Sequence, residues 1–465
     1  LTRRETLRAG ALSLLHGYFN LPSLLAAESA ERHERPAKAK NVILLYLLGG
    51  AATQDMFDLK PSAPSGVRSE FKPIPTSASG VQICEHLPRT ARWMHKAALV
   101  RSVNHKAGCH NCLPSYTGYD LPMPDQHPRD TDPPSMGSVC EWLNRRRGPD
   151  ALPDYVYMPC WLGWGQVFRR AGPYGGFLGR RYDALTTECQ PYADPGVKPG
   201  PGRPAVIRGE PLLPDGLPGG DLTVDRLNRR RGLLEQLDEQ VRRAEAGPDI
   251  ANYGRSQQRA FSLLTSSRLR AAFDLRREHP SVLDRYGRTL FGHSSLIARR
   301  LVEEGVRFVN VTWDLFWDRI QVDYDAWDTH TRNFEILREN KLPHFDQTYS
   351  ALMDDLDARG LLDETLVVTM SEMGRTPRVN GNGGRDHWTY CYSVMLAGAG
   401  IRGGTVCGSS DAQAAFVKDR PVSPAEVCAT IYHCLGIDPQ MPVHDRGGRP
   451  VPIAQGANAI REILA

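Results

Sequence analysis

Asn41-Val-Ile-Leu-Leu-Tyr-Leu-Leu48, followed at once by Gly49-Gly50, is the stretch that decides the fold. A strand with one wet face alternates apolar and polar residues, whereas this run is apolar on both faces, as a buried parallel strand is. Similar short runs stand at Ala98–Val103, Val306–Thr312, Thr365–Met370 and Ser393–Ala397. Each leads into a turn rich in polar or titratable residues. In open α/β sheets ligands sit outside the carboxyl ends of the strands, so chemistry is expected to collect in those turns.

Between these runs the texture changes. Residues 120–220 are rich in Pro, Gly and Trp and read as loops and small excursions over one end of the sheet. The stretch Leu222 to Glu304 has helical spacing at Leu227, Leu234 and Leu237, with breaks near Gly247-Pro248 and His279-Pro280. The region from about 120 to 305 is therefore expected to be a loop-rich and helical insertion. Phe345, Tyr349, Met353 and Leu356 mark one face of a helix ending near Gly360, just before the run at Thr365. No internal repeat is found.

The chain has 465 residues, of which 41% are hydrophobic and 24% charged, enough to bury a large core in one α/β domain over 41–465. Formal net charge is only +4 and the basic residues are scattered, which excludes a nucleic-acid groove. Residues 1–30 begin Thr2-Arg3-Arg4-Glu5-Thr6-Leu7-Arg8, similar to a twin-arginine export motif, and continue into a mildly apolar stretch, Ala9 to Ala27. His16, Asn20 and Pro22 interrupt it, and a stable membrane span needs about 20 mostly apolar residues. The expectation is a signal read by the twin-arginine export machinery, then a polar linker over 31–40, placing the protein in the periplasm or outside the cell. An ordinary amphipathic helix is the alternative. Ten cysteines include a Cys109-x-x-Cys112 pair, and no second pair at zinc-ribbon spacing accompanies it. That leaves free thiols, a disulfide or a role in a site.

Four segments carry residues suited to chemistry. Trp327-Asp328-Thr329-His330 places a carboxylate and an imidazole two residues apart, an oxygen and nitrogen pair that suits zinc or manganese, or else a turn with a surface histidine. Ser371-Glu372-Met373-Gly374-Arg375 follows a buried run directly. A carboxylate at Glu372 needs a cation or a base to compensate its burial, and Arg375 is one such partner. Gly383-Gly384-Arg385-Asp386-His387-Trp388 presents an acid and a base side by side. In an extended segment these point to opposite faces, so one contacts a metal while the other supports it from behind. His105 to Gly118 gathers imidazole, thiol and hydroxyl groups, either a nucleophile beside a cation or simply a buried thiol pair.

Together these segments resemble the alkaline phosphatase and sulfatase superfamily, and more closely its domain-of-unknown-function 1501 family. The resemblance covers nearly the whole chain. Its pieces include Gly49-Gly50 followed by Asp55-Met-Phe-Asp58-Leu-Lys-Pro61, Gly176-Phe-Leu-Gly179, Ala298 to Val309, Trp327-Asp-Thr-His330, Glu372-Met-Gly-Arg-Thr-Pro377, Gly384-Arg-Asp-His-Trp388 and Ala397 to Gly404. It implies an alkaline phosphatase-like fold, a central mostly parallel sheet flanked by helices. It also implies metal ligands from Asp55, with Asp58 as second choice, and from Asp328, His330, Glu372, Asp386 and His387. The ion would be divalent: zinc, manganese or calcium. Cys112-Leu-Pro-Ser115 is similar to the sulfatase nucleophile motif, which makes Cys112 and Ser115 candidate nucleophiles, with Arg375 a further catalytic candidate. Two departures stand out: Met373 replaces the His or Asn of the superfamily, and Tyr116 replaces an Arg.

The function the resemblance implies is an exported metal-dependent hydrolase of phosphate or sulfate esters, its substrate a small molecule or a glycan ester. A secreted structural or binding protein that keeps the fold without the chemistry is the alternative.

Overall fold

A computed structural model describes residues 37–108, 110–122, 127–143, 152–163, 167–193, 206–213, 266–314, 316, 320 and 326–465. The export-signal reading of 1–30, most of the linker, Cys109 and the helical reading of 222–265 lie outside these residues.

Eight strands form the main sheet: β1 (Asn41–Leu47), β2 (Ala97–Val103), β3 (Tyr155–Met158), β4 (Leu185–Thr186), β5 (Phe308–Trp313), β6 (Thr365–Met370), β7 (Tyr392–Gly398) and β8 (Thr405–Cys407). Their order across the sheet is β8-β2-β7-β6-β1-β5-β3-β4. All run parallel to β1 except β7, which is antiparallel to both its neighbours. The architecture is thus α/β with a mostly parallel central sheet. β1 is fully buried at its centre, paired with β6 on one side and β5 on the other.

The two apolar faces of β1 are explained by what covers them. Ile43, Leu45 and Leu47 pack with α3 (Leu290–Glu303) and α4 (Leu342–Ala358) through Leu296, Ile297, Leu301, Phe345, Leu352 and Leu356. Val42, Leu44, Tyr46 and Leu48 face the other layer, where α2 (Met136–Trp142) and α5 (Pro424–Cys434) contribute Val139, Val427, Ile431 and Tyr432. The short helix α1 (Leu113–Thr117) lies on the layer of α5. α5 starts with a capping box, in which Ser423 and Glu426 each satisfy the other's backbone N–H, and Pro424 takes the position that needs none.

The stretch 120–220, read above as loops, also supplies α2 and two strands of the main sheet, β3 and β4. β3 is only four residues long and lies between Pro153 and Pro159, too short for a period to show. Within 266–304 the expected helices are present at Ser267–Phe273, Pro280–Tyr286 and Leu290–Glu303. Among the described residues no helix is long and apolar enough to cross a membrane.

Leu44 is wholly buried in the core layer to which α2 and α5 contribute. Leu44→Ala is expected to lower unfolding free energy by about 2–5 kcal/mol through lost burial and a cavity. Urea denaturation checks it, and a loss within experimental error would contradict this packing.

Candidate metal centre

Topology gathers the site. Because β1, β2, β5 and β6 run parallel, the segments leaving their carboxyl ends emerge on one edge of the sheet. These segments carry Gly49, His110, Asp328 and Glu372 respectively. β7 runs the other way, so the segment entering it arrives at that same edge and brings His387.

His110, Asp328 and His387 each offer a ligand atom, and the three atoms lie within 4.8 Å of one another. His110 Nε2 is 3.5 Å from Asp328 Oδ2, and His387 Nε2 is 3.3 Å from Asp328 Oδ1. His330 closes the group, its Nε2 lying 2.9 Å from His387 Nε2 and 3.1 Å from Asp328 Oδ1. Two of the imidazoles are held from behind. His110 Nδ1–H donates to Glu372 Oε1 at 2.8 Å, and His330 Nδ1–H donates to Asp386 Oδ1 at 2.7 Å. Those bonds fix the ring orientations so that both Nε2 atoms face inward, the arrangement by which carboxylates orient metal-bound histidines. Exposure rises from Glu372 at 0% through His110 at 9% to His330 at 39%, so the group opens to solvent on the His330 side.

Electrostatics follow from this geometry. Burial favours the neutral form of Asp328, yet hydrogen bonds from His110 and His387 and the Arg375 charge hold its carboxyl far below the usual range. Burial acts against the Glu372 carboxylate too, and His110 overrides it and keeps it low. Burial pushes the His387 imidazole down, helped by the charges of His110 and Arg375 and opposed by Asp328. His387 is therefore neutral at neutral pH. One carboxylate, Asp328, and three histidines turned toward one another fit a divalent cation: the nitrogen and oxygen donors suit zinc or manganese.

The loops are fixed around this group by close backbone contacts. Trp327 N–H donates to Leu48 O at 2.9 Å, docking the residue before Asp328 on the end of β1. Gly49 has φ +110°, and a Cβ there would lie 2.7 Å from Asp328 N. A Cβ on Gly384 would lie 1.9 Å from the His330 carbonyl. His110 itself sits in the left-handed region at φ 52°, a conformation that costs about 1–3 kcal/mol and that collects at functional sites.

The structure brings together Asp328, His330 and His387, with Glu372 and Asp386 behind them. It places the other candidates elsewhere. Asp55 is wholly buried, and both its oxygens accept from Arg385, at 2.8 and 2.9 Å, while Oδ2 also accepts from Asn333 at 2.8 Å. It serves as the counter-ion of Arg385 instead of reaching the cluster. Asp58 pairs with Lys60 at 3.1 Å and with Ser410. Cys112 and Ser115 are buried under the site: Ser115 Oγ donates to Cys112 O at 2.9 Å and bonds Tyr46 Oη at 2.8 Å. Burial, with the nearby Glu372 charge, pushes the Cys112 thiol up to about 12, so it carries no thiolate at neutral pH. Arg375 pairs with Asp328 and not with Glu372. The residue absent from the expected ligands is His110, which stands three residues after Ala107 in the turn leaving β2, where carboxyl-end reasoning pointed.

A mostly parallel sheet with a histidine and aspartate cluster at its carboxyl edge defines an α/β protein with a candidate cation site. The chain belongs to the family described as "Protein of unknown function (DUF1501)", whose sequence model matches residues 39–464. Similar solved structures include a sulfatase from Pseudoalteromonas sp., at 12% identity over 89% of this chain and 71% of that one, TM-score 0.36. A protein in the alkaline phosphatase superfamily from Vibrio parahaemolyticus shows 10% identity over 93% and 73%, TM-score 0.34. A Bacteroides thetaiotaomicron protein described under the metabolism of multiple glycosaminoglycans shows 11% identity over 91% and 81%, TM-score 0.40. No curated protein matches the sequence.

Gly49→Ala is expected to cost about 1–3 kcal/mol in strain and more in displaced contacts with Asp328. Gly66→Ala, where φ is +79° and nothing lies within 4 Å, isolates the strain alone. Equal losses in urea denaturation would contradict the close approach at Gly49. Cys112 is expected to resist a thiol reagent at pH 8 until the protein unfolds; peptide mapping that finds it modified in the native state would contradict its burial.

Proposed function

We propose that the chain is an exported, divalent-cation-dependent hydrolase of phosphate or sulfate esters, with the cation held by His110, Asp328 and His387. The observation that carries this reading is the convergence of those three side chains from three separate segments to within 4.8 Å. A divalent cation bound there supplies Lewis-acid stabilisation to an ester oxygen on which negative charge develops. The remaining work falls to the chain's own residues. Glu372 holds His110 in one orientation, and the buried Arg375 keeps Asp328 ionised and in place.

His330 is the side chain placed to move a proton. Its Nδ1–H is anchored by Asp386, its Nε2 accepts from Arg375 Nη1 at 3.4 Å, and it is the most exposed of the histidines in the cluster. An imidazole oriented by a carboxylate at the more exposed edge of the cluster, with its other nitrogen facing Asp328 and His387, suits the removal of a proton from an attacking water. Water is the nucleophile in this reading, because Cys112 and Ser115 are both buried and hydrogen-bonded below the site. That same withdrawal favours a second reading, a secreted protein that binds a cation without hydrolysis. Export rests on the Thr2-Arg3-Arg4 motif followed by Ala9–Ala27.

The test is elemental analysis of protein purified without chelators, beside a screen of phosphate and sulfate esters. The wild type is expected to carry a divalent ion, and His110→Ala and His387→Ala to lose it with unchanged far-ultraviolet circular dichroism. His330→Ala is expected to keep the ion and lower kcat about 10²–10⁴-fold, the usual contribution of a positioned base. Variants that retain the wild-type metal content would refute the ligand set; a metal-bound protein inert on every ester would favour the second reading.

A further inference from the structure

Arg375 is 0% exposed, and every N–H of its guanidinium is engaged by the chain. Nε donates to Gly50 O at 2.7 Å. Nη2 donates to Gly49 O and to Asp328 Oδ1. Nη1 donates to Arg385 O at 3.1 Å and to His330 Nε2 at 3.4 Å. With five N–H groups to place and five acceptors, the fork has no freedom left. It is a permanent positive charge fastened to the oxygen of Asp328 that also faces His330 and His387.

In two-cation hydrolytic sites the ions lie about 3.5–4 Å apart, so a second ion needs its own set of donors beside the first. Among the described residues, His330 Nε2 is the ring nitrogen left in the cluster beyond the three assigned ligands, and one nitrogen is not a second set. The further carboxylates beside the cluster are engaged: Asp55 by Arg385 and Asn333, Glu372 by Gly49 N–H at 2.9 and 3.2 Å, Ser371 Oγ at 3.1 Å and His110 Nδ1 at 2.8 Å, and Asp386 Oδ1 by His330 Nδ1 at 2.7 Å and Asn380 Nδ2 at 3.1 Å. Asp328 Oδ1, the atom a second ion would share, already carries the guanidinium. We infer that the site holds a single divalent cation and that Arg375 supplies the second positive charge. This inference rests on the cation reading above and fixes its stoichiometry. Arg375 is a positioning residue: all its donors point into the protein, so it acts on a ligand only through Asp328 and the charge it adds.

The experiment is calorimetric titration of the full chain, stripped of metal, with MnCl2, and elemental analysis of the saturated protein. One Mn2+ per chain is expected. Two per chain would overturn the inference and leave the cation reading standing, whereas none would overturn both. Arg375→Gln supplies the second readout. Removing a positive charge beside a cation is expected to tighten Mn2+ binding at least about tenfold, a direction that mere structural damage does not produce. Arg375→Lys, which keeps the charge and loses the fork, is expected to bind Mn2+ no tighter than the wild type. Unchanged or weaker binding by a folded Arg375→Gln would contradict the role given to Arg375.

Discussion

The Glu372 carboxylate is completely buried at the carboxyl end of β6, and the rest of the site depends on how its charge is satisfied. An ionised carboxylate out of water is tolerated only when hydrogen bonds and charges surround it. Here the Gly49 N–H reaches both oxygens from the end of β1, Ser371 Oγ–H donates from the neighbouring residue, and His110 Nδ1–H donates from the turn after β2. One buried group thus ties three strand ends together. The same bond that neutralises Glu372 aims the opposite nitrogen of His110 at Asp328, so stabilising the fold and orienting the candidate ligand are one act.

A second buried pair, Asp55 with Arg385, does for the outer loop what Glu372 does for the inner one. Arg385 lies one residue before Asp386 and two before His387, and it also donates to the carbonyls of Thr376 at 3.1 Å and of Pro377 and Val67. Its guanidinium lies 5.3 Å from the centre of the Phe334 ring. Removing one partner of such a pair costs about 3–5 kcal/mol because the other is left uncompensated. The loop carrying His387 is therefore held by an interaction that makes no contact with the cluster. Asp328, lying between Arg375 and the histidines, is where the two frameworks meet.

The strands are legible in the sequence because a run apolar on both faces, as at Asn41–Leu48, fits little besides a buried parallel strand in a chain of this composition. The helix carrying Phe345, Tyr349, Met353 and Leu356 is legible for a similar reason, a period that matches a buried face. What one sequence does not settle is which titratable groups meet. Asp55, Glu372 and Asp328 are equivalent in type, and only the fold reveals that Arg385 takes the first, His110 the second and Arg375 the third. His110 escapes a reading by motif because its left-handed backbone turns the side chain in a direction that spacing along the segment does not encode. Cys112 and Ser115 stand out by motif, but α1 buries both against Tyr46 and the layer of α5. β3 and β4 are hidden because strands of four and two residues carry no readable period.

The most direct measurement of the central claim is anomalous diffraction from crystals of the full chain grown with Mn2+. One peak is expected, bounded by His110 Nε2, an Asp328 carboxylate oxygen and His387 Nε2, with Glu372 still bonded to His110 Nδ1 and Arg375 still on Asp328. A peak ligated by none of those three side chains, or no peak at a saturating concentration of the ion, would contradict it.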